Sequence, residues 1–229
     1  MGNAQSPSQA PQQDRSRRRR EALLRATIEL LGETGAKAIT HRAVAQRAGV
    51  PLASTTYYFR SVNELIEEAL KLHVAERVSE LEGLVELALG ATGASVTQFA
   101  DRIAAVLVAA PTPTLVAQYQ MYLEAGRNPA LQPAATEVLA AFEGLIARVL
   151  TALGAREPQV AAEAFHALFD GFALHRLARP RDPEREAAAL SAAMRALFLE
   201  QVMEVSTRDD LNERMRGPLV SDPQSLPGG

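Results

Sequence analysis

Residues 54–59, with the sequence STTYYF, place hydroxyl and aromatic side chains in consecutive positions directly after a Gly-Val-Pro turn. The hydroxyl groups of Ser, Thr and Tyr can hydrogen-bond both to phosphate oxygens and to the edges of DNA bases. Leu52 and Ala53 precede this run, and their methyl groups suit contact with the methyl group of thymine. The pattern therefore indicates a helix that faces DNA, with a set of core aromatic side chains as the alternative.

Helix geometry decides part of that choice, because consecutive residues lie ~100° apart and cannot all face inward. Phe59 has no hydroxyl group and is the best candidate for the core. We expect Thr55 to face the core as well, where its hydroxyl needs a local backbone partner. At least one of Tyr57 and Tyr58 must then face outward.

The chain carries little that indicates catalysis or a bound metal ion. It has no Cys, no HExxH motif, no Gly-rich phosphate loop and no evident Ser-His-Asp grouping. His166 and Asp170 lie at i and i+4, and Glu163 lies one turn earlier, so a metal site is an alternative. One His among carboxylates is more often an ordinary hydrogen-bonded pair, and we expect these residues to line a pocket floor or a subunit seam. The sequence predicts no enzyme activity, no metal and no cofactor.

The net charge of −3 hides an asymmetry along the chain. Residues 1–60 hold ten Lys/Arg and four Asp/Glu, a balance of +6, whereas residues 61–229 hold fourteen and twenty-three, a balance of −9. A basic first quarter on an acidic body indicates an end that binds a polyanion, with chance clustering as the alternative. No run of ~18 apolar residues is present, so we expect no membrane span and a cytoplasmic protein.

Apolar residues recur at helical spacing through most of the chain, which predicts an all-α protein of about nine helices. Residues 1–16, rich in Gln, Ser and Pro, are expected to form a disordered N-terminal arm. Residues 17–62 are predicted to be a three-helix helix-turn-helix unit, and residues 63–206 a larger helical domain. Residues 207–229 lose the apolar period and are expected to form a flexible tail.

The stretch THRAVAQRAGVPLASTTYYFRSVNELI closely resembles the DNA-binding signature of the tetracycline-repressor (TetR) family. The resemblance extends over about residues 17–72. It implies that the second short helix enters the major groove, and that DNA is contacted by residues in and around the two short helices: Lys37, Thr40, Arg42, Leu52, Ala53, Ser54, Thr56, Tyr57, Tyr58 and Arg60.

Two departures from the family pattern bear on this assignment. Thr55 and Thr56 stand where many members have Leu and Tyr, and Val62 stands where many have a Lys that binds phosphate. Arg60 is the nearby candidate to supply the missing charge.

An Arg cluster precedes the first long helix, at residues Arg15, Arg17, Arg18, Arg19 and Arg20. It resembles the basic arm that some family members send along the minor groove or the DNA backbone. The alternative is a generic charge run in solvent.

In the larger domain, the resemblance implies a ligand pocket and a dimer interface. Candidate pocket residues are Gln118, Tyr119, Tyr122, Phe142 and Phe169, because apolar walls with a few polar anchors suit an amphipathic small molecule. The last two helices mix small and large apolar residues, which suits a four-helix interface between two copies, with an internal core face as the alternative. The candidate interface residues are Ala161, Ala164, Phe165, Leu168, Phe172, Leu190, Met194 and Leu197.

Together these features predict a DNA-binding transcriptional regulator that acts as a homodimeric repressor on a palindromic operator. The expected partners are double-stranded operator DNA, a second copy of the chain and an unknown small-molecule effector that releases the DNA, with no membrane. The alternatives are a ligand-dependent activator, a helical enzyme, and a nucleic-acid-binding protein without sequence specificity.

Overall fold

The computed structural model describes residues 9–90 and 95–203 of the chain. Within these ranges all regular structure is helical, which confirms the predicted all-α class. The elements are nine α-helices: α1 (Gln9–Thr34), α2 (His41–Ala48), α3 (Leu52–Tyr58), α4 (Val62–Leu89), α5 (Val96–Val108), α6 (Thr112–Arg127), α7 (Gln132–Ala152), α8 (Pro158–Ala178) and α9 (Pro183–Val202). Two short 3₁₀ turns, Ala36–Ala38 and Pro129–Leu131, precede α2 and α7. The predicted flexible tail at 207–229 lies outside the described residues.

The short helices of the N-terminal unit begin and end at residues that the sequence marks clearly. The Thr40 side chain accepts a hydrogen bond from the Ala43 amide at 3.1 Å and caps the start of α2. Gly49 ends α2 in the left-handed region at φ 65°, where Gly avoids the steric cost of a side chain. Ser61 caps α4 by accepting from the Glu64 amide. The Gly49 conformation forms the sharp turn between α2 and α3, and the two capping contacts set where α2 and α4 begin.

Helix α1 begins at Gln9, well before the expected boundary at residue 17. Residues 9–16, expected to be part of a disordered arm, are therefore helical, and residues 1–8 of that arm lie outside the described ranges. Asp14 supplies a physical reason, because its carboxylate pairs with Arg17 at 2.9 Å and Arg18 at 2.8 Å, one turn further along the helix. The basic cluster thus lies on a helix instead of an extended arm.

Two hydrophobic clusters hold the helices together. The first contains Leu31, Val44, Phe59 and Leu70, and it continues into α6 and α7 through residues such as Met121. The second lies among α5, α7, α8 and α9. Because the first cluster crosses the predicted boundary at residue 62, the helix-turn-helix unit shares its core with the larger domain.

No single helix in the described ranges is long and apolar enough to cross a membrane. One pair, α5 with α6, passes that test jointly by length and composition, but the two helices are bent by 83° where they meet.

Candidate functional site

Helix α3 presents a polar and aromatic face to solvent at the tip of the N-terminal unit. Tyr57 is 79% exposed and is the most exposed aromatic side chain of that helix. Leu52, Ala53 and Thr56 are exposed beside it, and Ser54 is half-buried. The flanking candidates Lys37, Thr40, Arg42 and Arg60 are exposed as well. Nine of the ten residues assigned to DNA thus have accessible side chains that form no hydrogen bond or ion pair with another side chain among the described residues.

The inward side of α3 is formed by Thr55 and Phe59, as the helix geometry predicts. Phe59 is 1% exposed and belongs to the first hydrophobic cluster. Thr55 is fully buried, and its hydroxyl donates to the Leu52 carbonyl at 2.7 Å. Both expectations are confirmed, and the pair seats α3 on the core while its other face stays free.

Tyr58 differs from its neighbour Tyr57, although both were assigned to DNA. Its ring is half-buried against the first cluster, and its hydroxyl lies 2.8 Å from the Ser16 hydroxyl on α1. The two Tyr rings meet edge to face, with centroids 4.9 Å apart. Tyr58 therefore links α3 to α1 and supports the position of the exposed Tyr57 ring.

The five arginines of the basic cluster have different surroundings. Arg20 pairs with Glu68 of α4 at 2.5 Å, and its guanidinium lies 5.5 Å from the centroid of the Phe59 ring. Arg17 and Arg18 pair with Asp14. Arg15 and Arg19 are exposed and form no ion pair with any residue that the structure describes. Arg20 thus holds α1 to α4, and the outward arginines are the ones available to a phosphate backbone.

A cavity of about 150 Å³ lies among α4 to α9, and its walls are mostly apolar. Of the predicted pocket residues, Gln118, Tyr119, Phe142 and Phe169 line this cavity. Tyr122 stands behind the wall and accepts a hydrogen bond from the Gln118 amide at 3.0 Å. Four of the five candidate residues therefore line one cavity, and Tyr122 supports Gln118 from outside its wall; their role in binding a ligand stays a prediction.

The polar part of the cavity wall joins α6 to α8. The Tyr119 hydroxyl donates to Asp170 Oδ1 at 2.9 Å. Burial, with the nearby Asp170 charge, raises the pKa of Tyr119, so this phenol stays protonated as a donor. Burial also raises the pKa of Asp170 above its ordinary value. The carboxylate is thus held at an energetic cost inside an apolar wall.

His166 and Asp170 line the cavity, as the pocket-floor interpretation of their spacing anticipated. Glu163 of the same helix is exposed and lies outside the wall. Within residues 9–90 and 95–203, no group of three or more His, Cys, Asp and Glu side chains could hold a metal ion.

Four of the eight residues assigned to the dimer interface serve the core of the chain itself. Ala161, Phe165, Leu190 and Met194 are buried in the second cluster, and Phe165 and Met194 also line the cavity. Leu168, Phe172 and Leu197 are half-buried against the same cluster, so of the eight only Ala164 is exposed. The four buried side chains leave little surface for a partner, whereas Ala164 and the three half-buried residues keep accessible surface, and the interface assignment stays a prediction.

A second apolar stripe on α8 and α9 remains exposed instead. On α8 it includes Val160, which is 67% exposed, and Leu174. On α9 it includes Leu199, which is 59% exposed, and several alanines. The complete stripe is Val160, Ala164, Ala167 and Leu174 on α8 with Ala188, Ala189, Ala192, Ala196 and Leu199 on α9. These residues recur every three or four positions, which the sequence shows. The interface assignment went instead to the larger apolar residues beside them, which face inward.

Helix α6 forms a cavity wall on one side and packs on α1 on the other. Leu115 and Tyr119 line the cavity. On the opposite side, α1 approaches α6 closely at Gly32, where an added Cβ would lie 3.1 Å from the Pro113 carbonyl oxygen and 3.7 Å from the Ala117 Cβ. The cavity and the N-terminal unit are therefore separated by a single helix.

Two family models match the chain. Residues 23–69 match the model described as bacterial regulatory proteins, tetR family, and residues 94–200 match the tetracyclin repressor-like C-terminal domain. No curated protein sequence matches the chain significantly.

Solved structures share the fold over most of their length. A transcriptional regulator from Rhodococcus sp. Rha1 is similar in fold, with a TM-score of 0.65 at 22% identity, over 79% of this chain and 96% of that one. SCO1917, a member of the TetR family from Streptomyces coelicolor A3, is 30% identical with a TM-score of 0.60, over 76% of this chain and 96% of that one. The multidrug binding protein EbrR in complex with proflavin is 29% identical with a TM-score of 0.54, over 76% and 98%. EbrR has also been solved with imidazole and with ethidium.

Proposed function

The chain belongs to the TetR family of bacterial regulatory proteins, and we propose that it is a homodimeric repressor, released from a palindromic operator by a small molecule. It acts on DNA in the cytoplasm and performs no catalysis. The observation that carries this proposal is that the chain has two separate surfaces, one suited to DNA and one suited to a small molecule. The free face of α3 and the cavity lie on different parts of the chain, and α6 with α1 connects them.

The α3 face supports sequence-specific binding in the major groove. Its outward residues combine hydroxyl groups, the methyl groups of Leu52 and Ala53, and the phenol of Tyr57. Hydroxyl groups hydrogen-bond to bases and phosphates, and methyl groups contact thymine. Arg42, Arg60 and the outward arginines of α1 add positive charge beside this face, which favours a phosphate backbone without regard to sequence.

The exposed stripe on α8 and α9 supports dimer formation. Small residues such as Ala192 let two helix pairs approach closely, and Val160 and Leu199 supply apolar area at the ends of the stripe. An interface that contains the same stripe from both copies has two-fold symmetry. That symmetry would match two α3 helices to half-sites about 34–36 Å apart on a palindrome.

The cavity supports an effector site. Its apolar walls, with polar groups from Gln118, Tyr119 and Asp170, are typical of sites for small amphipathic molecules. EbrR, a relative with similar coverage, has been solved with proflavin and with ethidium. The comparison favours a small-molecule ligand for this chain as well.

The size of the cavity suggests how the effector acts. Pockets for drug-sized ligands measure about 300–1,000 Å³, so the cavity of about 150 Å³ must widen to accept one. Because α6 is one of its walls, widening presses α6 against α1 at Gly32. A ligand that binds the widened state more tightly favours it over the state that binds DNA.

Selection from a pool of random DNA duplexes tests the proposal. The purified full chain should enrich one palindromic sequence, and a mobility-shift titration should give at least about a thousandfold preference for that sequence over random DNA at matched salt. Enrichment without symmetry, or a preference below about tenfold, would favour a nucleic-acid-binding protein without sequence specificity instead.

A further inference from the structure

The charged side chains that line the cavity differ in how their charge is compensated. Arg77 forms an ion pair with Glu80, and Arg195 pairs with Asp101 at 3.3 Å. Asp170 has no guanidinium or ammonium partner among the described residues, and its hydrogen bond comes from the neutral phenol of Tyr119. The uncompensated full charge on the cavity wall is therefore negative.

A buried imidazole, that of His166, lies beside this carboxylate. The His166 side chain is 7% exposed and lines the cavity. Its Nε2 lies 3.9 Å from Asp170 Oδ2, and its Nδ1 lies 3.7 Å from Glu143 Oε1, both too long for a hydrogen bond. No other residue in the described ranges is hydrogen-bonded to it. The His166 ring thus lies on the cavity wall between the carboxylates of Glu143 and Asp170.

The remaining walls near this place are aromatic. The Phe142 ring lies 5.4 Å from the His166 ring, centroid to centroid, and Phe165 and Phe169 meet edge to face at 6.1 Å. Aromatic faces attract cations, and the attraction is stronger where water is excluded. The Asp170 carboxylate and the aromatic rings both favour positive charge on a flat ligand.

We propose that the cavity binds an aromatic cation, with its positive nitrogen against Asp170 and His166 and its rings among Phe142, Phe165 and Phe169. This inference rests on the proposed function, because it takes the cavity as the effector site. Glu143 stands behind His166 and strengthens the negative potential at the nitrogen. A neutral ligand would leave the Asp170 charge uncompensated, and an anion would be repelled by it.

Three probes of one shape and different charge test the proposal: 1-methylquinolinium, 2-methylquinoline and quinoline-2-carboxylate. Equilibrium dialysis of each against the full chain in mildly alkaline buffer, where 2-methylquinoline is neutral, gives the affinities without DNA. We expect the cation to bind at least about tenfold more tightly than the anion. Tighter binding of the anion would overturn the proposal.

Variants distinguish the effect of the Asp170 charge on probe affinity from the effect of the cavity's shape. Asp170→Asn keeps an oxygen that accepts from Tyr119, so we expect it to weaken binding of 1-methylquinolinium by about tenfold or more and binding of 2-methylquinoline by less than about twofold. Glu163→Gln, on the exposed side of the same helix, should change neither affinity. An equal effect of Asp170→Asn on both probes would overturn the proposal, as would no effect on either.

The outcome for the ligand class is distinct from the outcome for the proposed function. If the cation binds in an Asp170-dependent manner and operator DNA stays bound, the ligand class stands and the effector role fails. If the neutral or anionic probe binds more tightly and releases the DNA, the effector role stands and the ligand class fails.

Discussion

At the scale of single residues, neighbouring positions in α3 have different roles. Tyr57 faces solvent, Tyr58 contacts Ser16 of α1, and Phe59 lies in the core. These three consecutive residues are thus one proposed to contact DNA, one that holds α3 against α1 and one that lies in the core. The distinction matters because only the first is expected to affect DNA binding without affecting the fold.

Replacing Tyr57 with Ala should weaken binding to the selected operator by about 10- to 100-fold, the effect of losing one good base contact. Thermal stability should not change, because the side chain is 79% exposed. Tyr58→Phe is the matched control. It removes only the hydroxyl bonded to Ser16, and it should have the smaller effect in a fluorescence anisotropy titration. Unchanged operator affinity in Tyr57→Ala would contradict the assignment.

A buried histidine should make the fold sensitive to acid. His73 of α4 is buried, and its Nε2 has no hydrogen-bond partner within the described residues. Burial, with the nearby Arg77 charge, lowers the pKa of His73 to about 4. The folded chain therefore holds it neutral at pH values where the unfolded chain, with a pKa of about 6.5, already binds a proton.

The stability contributed by neutral His73 should be present above about pH 6.5 and lost as the pH falls toward 4. Urea unfolding across this range measures it. His73→Leu should reduce the loss by up to about 3 kcal/mol, whereas His175→Gln, at an exposed position, should leave the pH profile unchanged. Equal acid sensitivity in the wild type and His73→Leu would contradict the prediction.

At the scale of elements, α6 lies between the cavity and the N-terminal unit that contains α3. It supplies Tyr119 to the cavity wall and packs against α1 at Gly32. Helix α4 likewise contributes to both the first cluster and the cavity wall. Two helices, α4 and α6, thus link the N-terminal unit to the cavity, and the close approach at Gly32 makes the α6 link testable by substitution.

Gly32→Ala should weaken the coupling between effector and DNA. The added methyl group would lie 3.1 Å from the Pro113 carbonyl oxygen, so it should resist the movement of α6 toward α1. We expect the ratio of operator affinities without and with ligand to fall by about 2- to 30-fold. Gly126→Ala in α6, where a Cβ meets nothing within 4 Å, is the control. Similar ratios in both variants and the wild type would exclude this route.

Most element boundaries could be predicted because caps and prolines are local signals. The start of α1 could not, because it depends on Asp14 pairing within the helix and on the tertiary contacts of Ser16 and Arg20. Four pocket residues were predictable once the family placed a pocket there. Which apolar residues of α8 and α9 are buried was not predictable, because size alone does not tell which of two apolar stripes faces the core of the same chain.

At the scale of the whole molecule, the proposed dimer would place two α3 faces on one side of DNA. The exposed stripe of α8 and α9 is the surface available for this pairing. Because the interface would be two-fold symmetric, each substitution would be present in it twice, once from each copy of the chain.

Ala192→Arg should therefore disrupt the dimer, because it places two bulky like charges in a close-packed interface. Sedimentation should show a monomer, and operator affinity should fall by at least about a hundredfold, because each half-site would then bind alone. Ala140→Arg, on the exposed side of α7, should leave both properties unchanged. A dimer that persists in Ala192→Arg would place the interface elsewhere.

The central claim is that two copies of α3 read one palindrome together, and half-site spacing tests it most directly. Anisotropy titrations would compare the selected operator with one lengthened at its centre by roughly five base pairs, half a helical turn, which moves one half-site to the opposite side of the duplex. The account predicts that this insertion weakens binding by at least about a hundredfold, to the affinity of an isolated half-site. Equal affinity for both duplexes would contradict it.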